Sequence, residues 1–467
     1  MQSYSEPQLL SLSRTPLAGV SLGVVILIFL GIYIRSLNHT HDNDLKHGVP
    51  SSPQRNPLSA SSTKPQVERD IDKYPPIMPL PDFNWETANP LVYRPFKPKY
   101  HLTMAISTLD PSELIPMDKT YKDRLELRES LLERHPDIVR ALNIHPDTPE
   151  VNARIREALC EWYAFVMGTY LPTRYPRMFR LTQSSSARKK EEKDGKKGTM
   201  IENLVTGLKA PVDPEELLLH SSSSNDTQDE TESLNTSLLH LLDTLSSWID
   251  EDFLILFPNP TSPPTIPTTT PEAGGEDPQY ILQAYSTYYP SGFNPREKVS
   301  LPLSKIHTPV PGYKQKLEKS MDRFFARLEV GRFVVRVNWS IMTPEARLFA
   351  AFGGLHDYSS LDYGAEKIGD KGEGEGEGQG RIQVEGFDGA DTYLRCERQT
   401  LHRLPSSKAV VFAFHTYLYP IRDIKDEGLG EELAVAIDGL KEGNVPGIHA
   451  YKRGPYWGEA VKAFLRS

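Results

Sequence analysis

From Phe333 to Ile341 every second residue is apolar: Phe333, Val335, Val337, Trp339 and Ile341 fall on one side, Arg336, Asn338 and Ser340 on the other. Successive side chains of an extended chain point to opposite faces, so this alternation predicts a strand with one buried face. A second strand is predicted near Tyr393 to Leu401 and a third near Ala409 to Tyr419. Arg403 to Lys408 separates them, a length and composition suited to an antiparallel connection. Tyr280 to Tyr289 reads as a fourth. Upstream the period changes. Thr148-Pro149 offers an N-cap and a first-turn proline, followed by Val151, Ile155, Leu159, Trp162 and Val166 at helical spacing. Tyr313 to Leu328 is a further helix, with Leu317, Met321, Phe324, Phe325 and Leu328 in one apolar stripe. Helices gathered in the N-terminal half and strands later imply an α+β fold on an antiparallel sheet.

The rest of the chain sets the boundaries. Residues 17–34 are uncharged and apolar, near the lower limit for a bilayer-spanning helix, and no small-residue cleavage site follows. They read as one N-terminal transmembrane helix after a tail of residues 1–16, giving a single-pass membrane protein. Arg14 on one side, against Arg35, Lys46 and Arg55 on the other, favours a cytosolic body. Residues 35–74 form a polar stalk, and 75–467 a single domain interrupted by low-complexity insertions near 182–198, 221–236, 258–275 and 364–380. The formal charge of −9 argues against nucleic acid as a partner. With two cysteines, Cys160 and Cys396, the chain holds neither a disulfide scaffold nor an iron–sulfur cluster. No flavin is expected in it either.

Three places carry candidate chemistry. Asp250-Glu251-Asp252 is a D-x-D that would hold a divalent cation through hard oxygen ligands. With an anchor and stalk, it suggests a type II membrane glycosyltransferase using Asp250 and Asp252. Leu394 to Pro405 reads LRCERQTLHRLP. On a strand Arg395, Glu397 and Gln399 share one face, while Cys396, Arg398 and Thr400 share the other. Charges on both faces must be paired or must face a polar cavity. The third is Pro302 to Tyr313, PLSKIHTPVPGY, in which prolines stiffen the backbone around His307. A neutral imidazole is a standard iron ligand, although a histidine alone in a loop is more often a turn or surface residue.

Taken together, EKVSLPLSKIHTPVPGYKQKLEKSMDRFF (297–325), RVNWSI (336–341) and LRCERQTLHRLPSS (394–407) resemble the haem-dependent oxidative N-demethylase alpha-subunit family, in particular its membrane-anchored fungal-type members. Supporting segments lie at 117–132, 158–179 and 248–256. The resemblance implies a PAS-like twisted antiparallel sheet with flanking helices around non-covalent haem b. It also implies oxygen-dependent N-demethylation of a small amine, with electrons from a separate reductase. By position, His307 is the implied axial iron ligand, with Cys396, His402 and His415 as rivals. Glu397 and Arg398 are the implied catalytic groups, and Arg336, Asn338 and Arg395 the implied haem-binding ones. A non-enzymatic haem-PAS sensor or scaffold would share the fold and the histidine.

Overall fold

The alternation read from Phe333 onward becomes a strand near the centre of a large sheet. The computed structural model describes residues 74–183, 198–222, 229–259, 277–343, 348–349 and 381–467, all within the compact unit Arg69–Ser467. The first strands are β1 (Ser107–Thr108), β2 (Arg140–Leu142), β3 (Phe179–Gln183), β4 (Thr199–Asn203) and β5 (Lys209–Pro211). Then come β6 (Asp252–Pro258), β7 (Tyr280–Ser286), β8 (Val334–Met342), β9 (Tyr393–Arg403) and β10 (Val410–Pro420). Seven form one sheet in the order β1-β8-β9-β10-β6-β7-β2, and β3-β4-β5 make a second. Every neighbouring pair is antiparallel. The expected α+β fold with antiparallel sheets and flanking helices is therefore present.

Register decides what each side of the large sheet carries. Across β8 and β9, Arg336 lies opposite Gln399, Asn338 opposite Glu397 and Ser340 opposite Arg395. Across β9 and β10, Arg398 lies opposite His415 and Thr400 opposite Ala413. One face thus holds Arg336, Asn338, Arg395, Glu397 and Gln399; the other holds Cys396, Arg398, Thr400, His402 and His415. The Arg398 face is covered by the helices Pro149–Phe165 and Glu230–Ser246, whose Ile155, Leu159, Trp162, Leu238, Leu241 and Leu245 pack on Phe253, Ile255, Val411 and Ala413. The Glu397 face meets Tyr313, Leu317, Met321 and Phe325, together with the C-terminal helices Gly430–Glu442 and Gly454–Arg466.

Local chemistry explains several boundaries. Thr148 stands at the N-cap of its helix, but its hydroxyl donates to His145 O (3.4 Å) and caps no amide. Glu230–Ser246 begins inside the stretch expected to be an insertion, because Asp229 accepts from Thr231 N (2.8 Å) and Leu238, Leu241, Leu242 and Leu245 supply a buried stripe. The helix expected over Tyr313–Leu328 is two pieces, Tyr313–Lys316 and Glu318–Arg327, meeting at Leu317. The β9–β10 turn is gripped from outside: Glu161 accepts from Ser406 N (2.6 Å), Ser407 N (2.9 Å) and Ser407 Oγ (2.7 Å).

The expected single-pass membrane localisation is corrected. Among the described residues no helix is long and apolar enough to cross a membrane. The 17-residue helices Pro149–Phe165 and Glu230–Ser246 are amphipathic and bury one side in the protein core. The run 17–34, most of the stalk and the greater part of the insertions expected near 182–198, 258–275 and 364–380 lie outside the described residues, as do residues 223–228 of the one near 221–236.

Candidate functional site

His307 sits in a tightly turned segment that docks against β7, with Pro302 bridged to Ile281. His307 N donates to Leu303 O (3.0 Å) at the end of a short helical turn, and Val310 N donates back to His307 O (2.9 Å). Pro309 and Pro311 lead to Gly312, whose φ of +71° favours glycine, and a Cβ there would meet Val445 Cγ2 at 2.7 Å. The imidazole is held at two points. Its ring stacks on Tyr313, with centroids 4.8 Å apart and planes 10° apart. Its Nδ1 lies 2.8 Å from Leu303 O. A carbonyl can only accept, so Nδ1 carries the proton and Nε2 keeps its lone pair. Nε2 has no hydrogen-bond partner among the described residues. Burial pushes the His307 pKa below the ordinary histidine value, against the opposing pull of the Leu303 carbonyl, so the ring is neutral at neutral pH.

Beside it runs the polar row of the sheet. Arg395 is 1% exposed and donates Nε to Glu397 Oε1 (3.1 Å), Nη1 to Leu348 O (3.3 Å), and Nη2 to Tyr289 O and Thr416 Oγ1. Gln399 Nε2 donates to the other Glu397 oxygen (3.0 Å). Glu397 is therefore fixed between two neighbours on its own strand. Lys452 closes the row, donating Nζ to Asn338 Oδ1 (3.2 Å) and Trp339 O. Burial lowers the Lys452 pKa to about 8, which the Glu397 charge resists. Arg336 is the exception. It makes no hydrogen bond or ion pair among the described residues, and its buried Nε has no partner. Burial pushes its pKa down, countered by Tyr100 and Glu397, and its charge also acts on His307.

The sequence candidates thus divide. Arg336, Asn338, Arg395 and Glu397 come together on the His307 side, whereas Arg398 lies on the opposite face, with both Nη groups on the carbonyls of Glu113 and Leu114. The rival ligands lie on that opposite face too. Burial raises the Cys396 thiol to about 12, which disfavours a thiolate. His402 stacks on Phe333 (4.7 Å) beside Trp162 and Tyr74. His415 is held by Glu251 (Nδ1, 3.2 Å) and Asp250 (Nε2, 3.5 Å). The D-x-D expected to hold a cation is committed to the protein. Asp252 takes Arg128 (2.7 Å), Tyr288 N (3.0 Å) and Tyr289 N (2.7 Å), and Asp250 pairs with Arg124. Among the described residues no group of three or more His, Cys, Asp or Glu is placed to hold a metal ion.

Several residues on the His307 side of the sheet remain partly open. Leu254, Phe412, Gln399, Arg336 and Asn338 lie on inner strands yet stay only half-buried. Ile306, Val310 and Tyr451 are half-buried against the same core. An apolar strip, one nitrogen with a free lone pair and one unpaired cation match a planar, iron-containing, anionic cofactor such as haem. Sequence reasoning missed Lys452, which arrives from far along the chain with no local pattern to mark it.

The family profile described as "Haem-dependent oxidative N-demethylase, alpha subunit-like" matches residues 105–462, well over half of the chain, and the chain belongs to that family. The comparison with curated proteins found no match.

Proposed function

We propose that this member of the haem-dependent oxidative N-demethylase alpha-subunit-like family would hold haem b on the Glu397 face of a PAS-like sheet, with His307 Nε2 as the protein group that would bind its iron. The carrying observation is His307 itself: its Nδ1–H is tied to Leu303 O, the arrangement by which metal-binding histidines fix their tautomer and orientation. Arg336 supports the same reading, since an unpaired, partly buried guanidinium calls for an anion and a haem propionate supplies one. Bound haem would supply the oxidation of an N-methyl group at the expense of oxygen and electrons from a separate reductase.

The chain's own residues would set the rest. Tyr313 holds the imidazole plane, and Arg395 and Gln399 aim the Glu397 carboxylate. Glu397 would pair with the ammonium form of a small amine, and Asn338, steadied by Lys452, would line the same surface. Arg395 positions Glu397, because its own donors are already committed. Arg398 has no role in this reading.

The test is an absorption spectrum of the full chain produced with added haem precursor, beside His307→Ala and Arg336→Gln. A near-stoichiometric Soret band, lost or shifted in His307→Ala, is expected. An unchanged band in that variant would move the ligand elsewhere, and a folded protein without haem would sink the reading. Amine-dependent oxygen consumption with a chemical reductant then tests turnover.

A further inference from the structure

A cavity of about 520 Å³ lies on the other side of the same strands. Val335 and Val337 of β8 and Arg398 of β9 contribute to its lining, together with Tyr93, Asp118 and Arg174 from distant parts of the chain. Its size falls in the range of about 300–1,000 Å³ common for small-molecule sites. Arg336, which the haem reading assigns to a propionate, also lines this space; the other residues named here have no part in that reading.

Its lining presents polar groups that the protein leaves open. Asp118 is 5% exposed and spends Oδ1 on Thr120 N (2.8 Å) and Thr120 Oγ1 (2.7 Å), while Oδ2 accepts nothing from the described residues. Arg174 donates Nη1 to Met78 O (2.8 Å), but its Nε is buried with no partner. Glu113 lends its backbone carbonyl to Arg398 and keeps its carboxylate free of bonds to the described residues. Open acceptors and an open guanidinium N–H therefore share one space; Glu113 is exposed, whereas leaving the buried Arg174 Nε unsatisfied costs about 1–3 kcal/mol. Leu109, Met117 and the Phe83 ring, packed 4.9 Å from Tyr175, add apolar wall.

An anion alone would leave Asp118 repelled, and a cation alone would face Arg174 and Arg398. We propose that this cavity binds a small amino-acid-type zwitterion with an apolar side chain. Asp118 accepts from its ammonium group, Arg174 donates to its carboxylate, and the side chain rests on Val335, Val337 and Met117. The groups that would hold the zwitterion, Asp118 and Arg174, are not those that the haem reading uses.

The test is calorimetric titration of the full chain with L-leucine, with 4-methylpentanoate, which lacks the amine, and with 3-methylbutylamine, which lacks the carboxylate. Leucine is expected to bind more tightly than either fragment by about tenfold or more, the factor for losing one charge-assisted contact. Asp118→Asn keeps an acceptor for Thr120 and should weaken leucine while sparing 4-methylpentanoate. Val337→Phe fills the space and should abolish binding of all three. Leucine binding no more tightly than its fragments, or unchanged in Val337→Phe, would overturn the proposal, as would absence of binding. If Asp118→Asn does not fold, the wild-type comparison and Val337→Phe decide. The Soret band is not a readout here, so this proposal and the haem reading fail separately.

Discussion

The two faces of β9 handle buried nitrogen in opposite ways. His402, on the helix-covered face, is fully buried with both ring nitrogens unpartnered, and aromatic rings surround it. His307, over the other face, has one nitrogen tied to a carbonyl and the other left open. The arginines repeat the contrast within one face: every Arg395 nitrogen has a partner, whereas Arg336 has none among the described residues. Lack of a partner does not by itself mark a site. Enclosed by rings, an unpartnered ring packs as a hydrophobe; beside a half-exposed strip, an unpartnered group is a receptor.

Four substitutions break or sharpen that contrast. The largest effect belongs to the packed face: Trp162 is 0% exposed, and Trp162→Ala should destabilise by about 3–5 kcal/mol in urea unfolding. A loss under about 1 kcal/mol would mean that this face does not carry the core. Arg395→Met comes next, at about 1–3 kcal/mol, because Glu397 and the Tyr289 carbonyl lose their donor. His402→Phe should work in the other direction and depend on pH. Burial lowers the His402 pKa to about 3, so between about pH 3 and 6.5 the native state binds fewer protons than the unfolded chain. The wild type therefore loses stability as pH falls through that window. Phenylalanine removes the loss, a gain over wild type of about 1.4 kcal/mol at about pH 5.5 beyond any difference at about pH 8. Equal differences at the two pH values would show that His402 is protonated or solvated in the fold. Arg336→Gln should be smallest, within about 0.5 kcal/mol in stability, because no partner is lost. Its haem affinity should nevertheless fall in a hemin titration, and unchanged affinity would remove Arg336 from the site.

Much of the frame was legible in sequence because its signals are local. The alternation at 333–341 and the Arg403–Lys408 connection appear as β8 and the β9–β10 hairpin within a residue or two. The two-residue period of a strand likewise puts Glu397 and Arg398 on opposite faces from sequence alone. What stayed hidden was partnership. Asp250 and Asp252 resemble an open cation site in one dimension, and only folding brings Arg124 and Arg128 against them. The cavity beside Arg398 draws Tyr93, Asp118, Arg174 and Val337 from four separate stretches, so no window of sequence contains it. Glu230–Ser246 was partly missed because its first turn is polar, and Asp229 rather than apolar spacing starts it.

The grip of Glu161 on Ser406 and Ser407 has a consequence for how this chain tolerates change in length. Strand β9 behaves like a reading frame. One residue gained or lost between Leu394 and Gln399 would exchange the two faces downstream and put Glu397 where Arg398 now points. Two residues would restore the phase and shift only the pairing. Because the turn is anchored to a helix from another part of the chain, such a slip cannot be absorbed at the β9–β10 end without breaking that anchor.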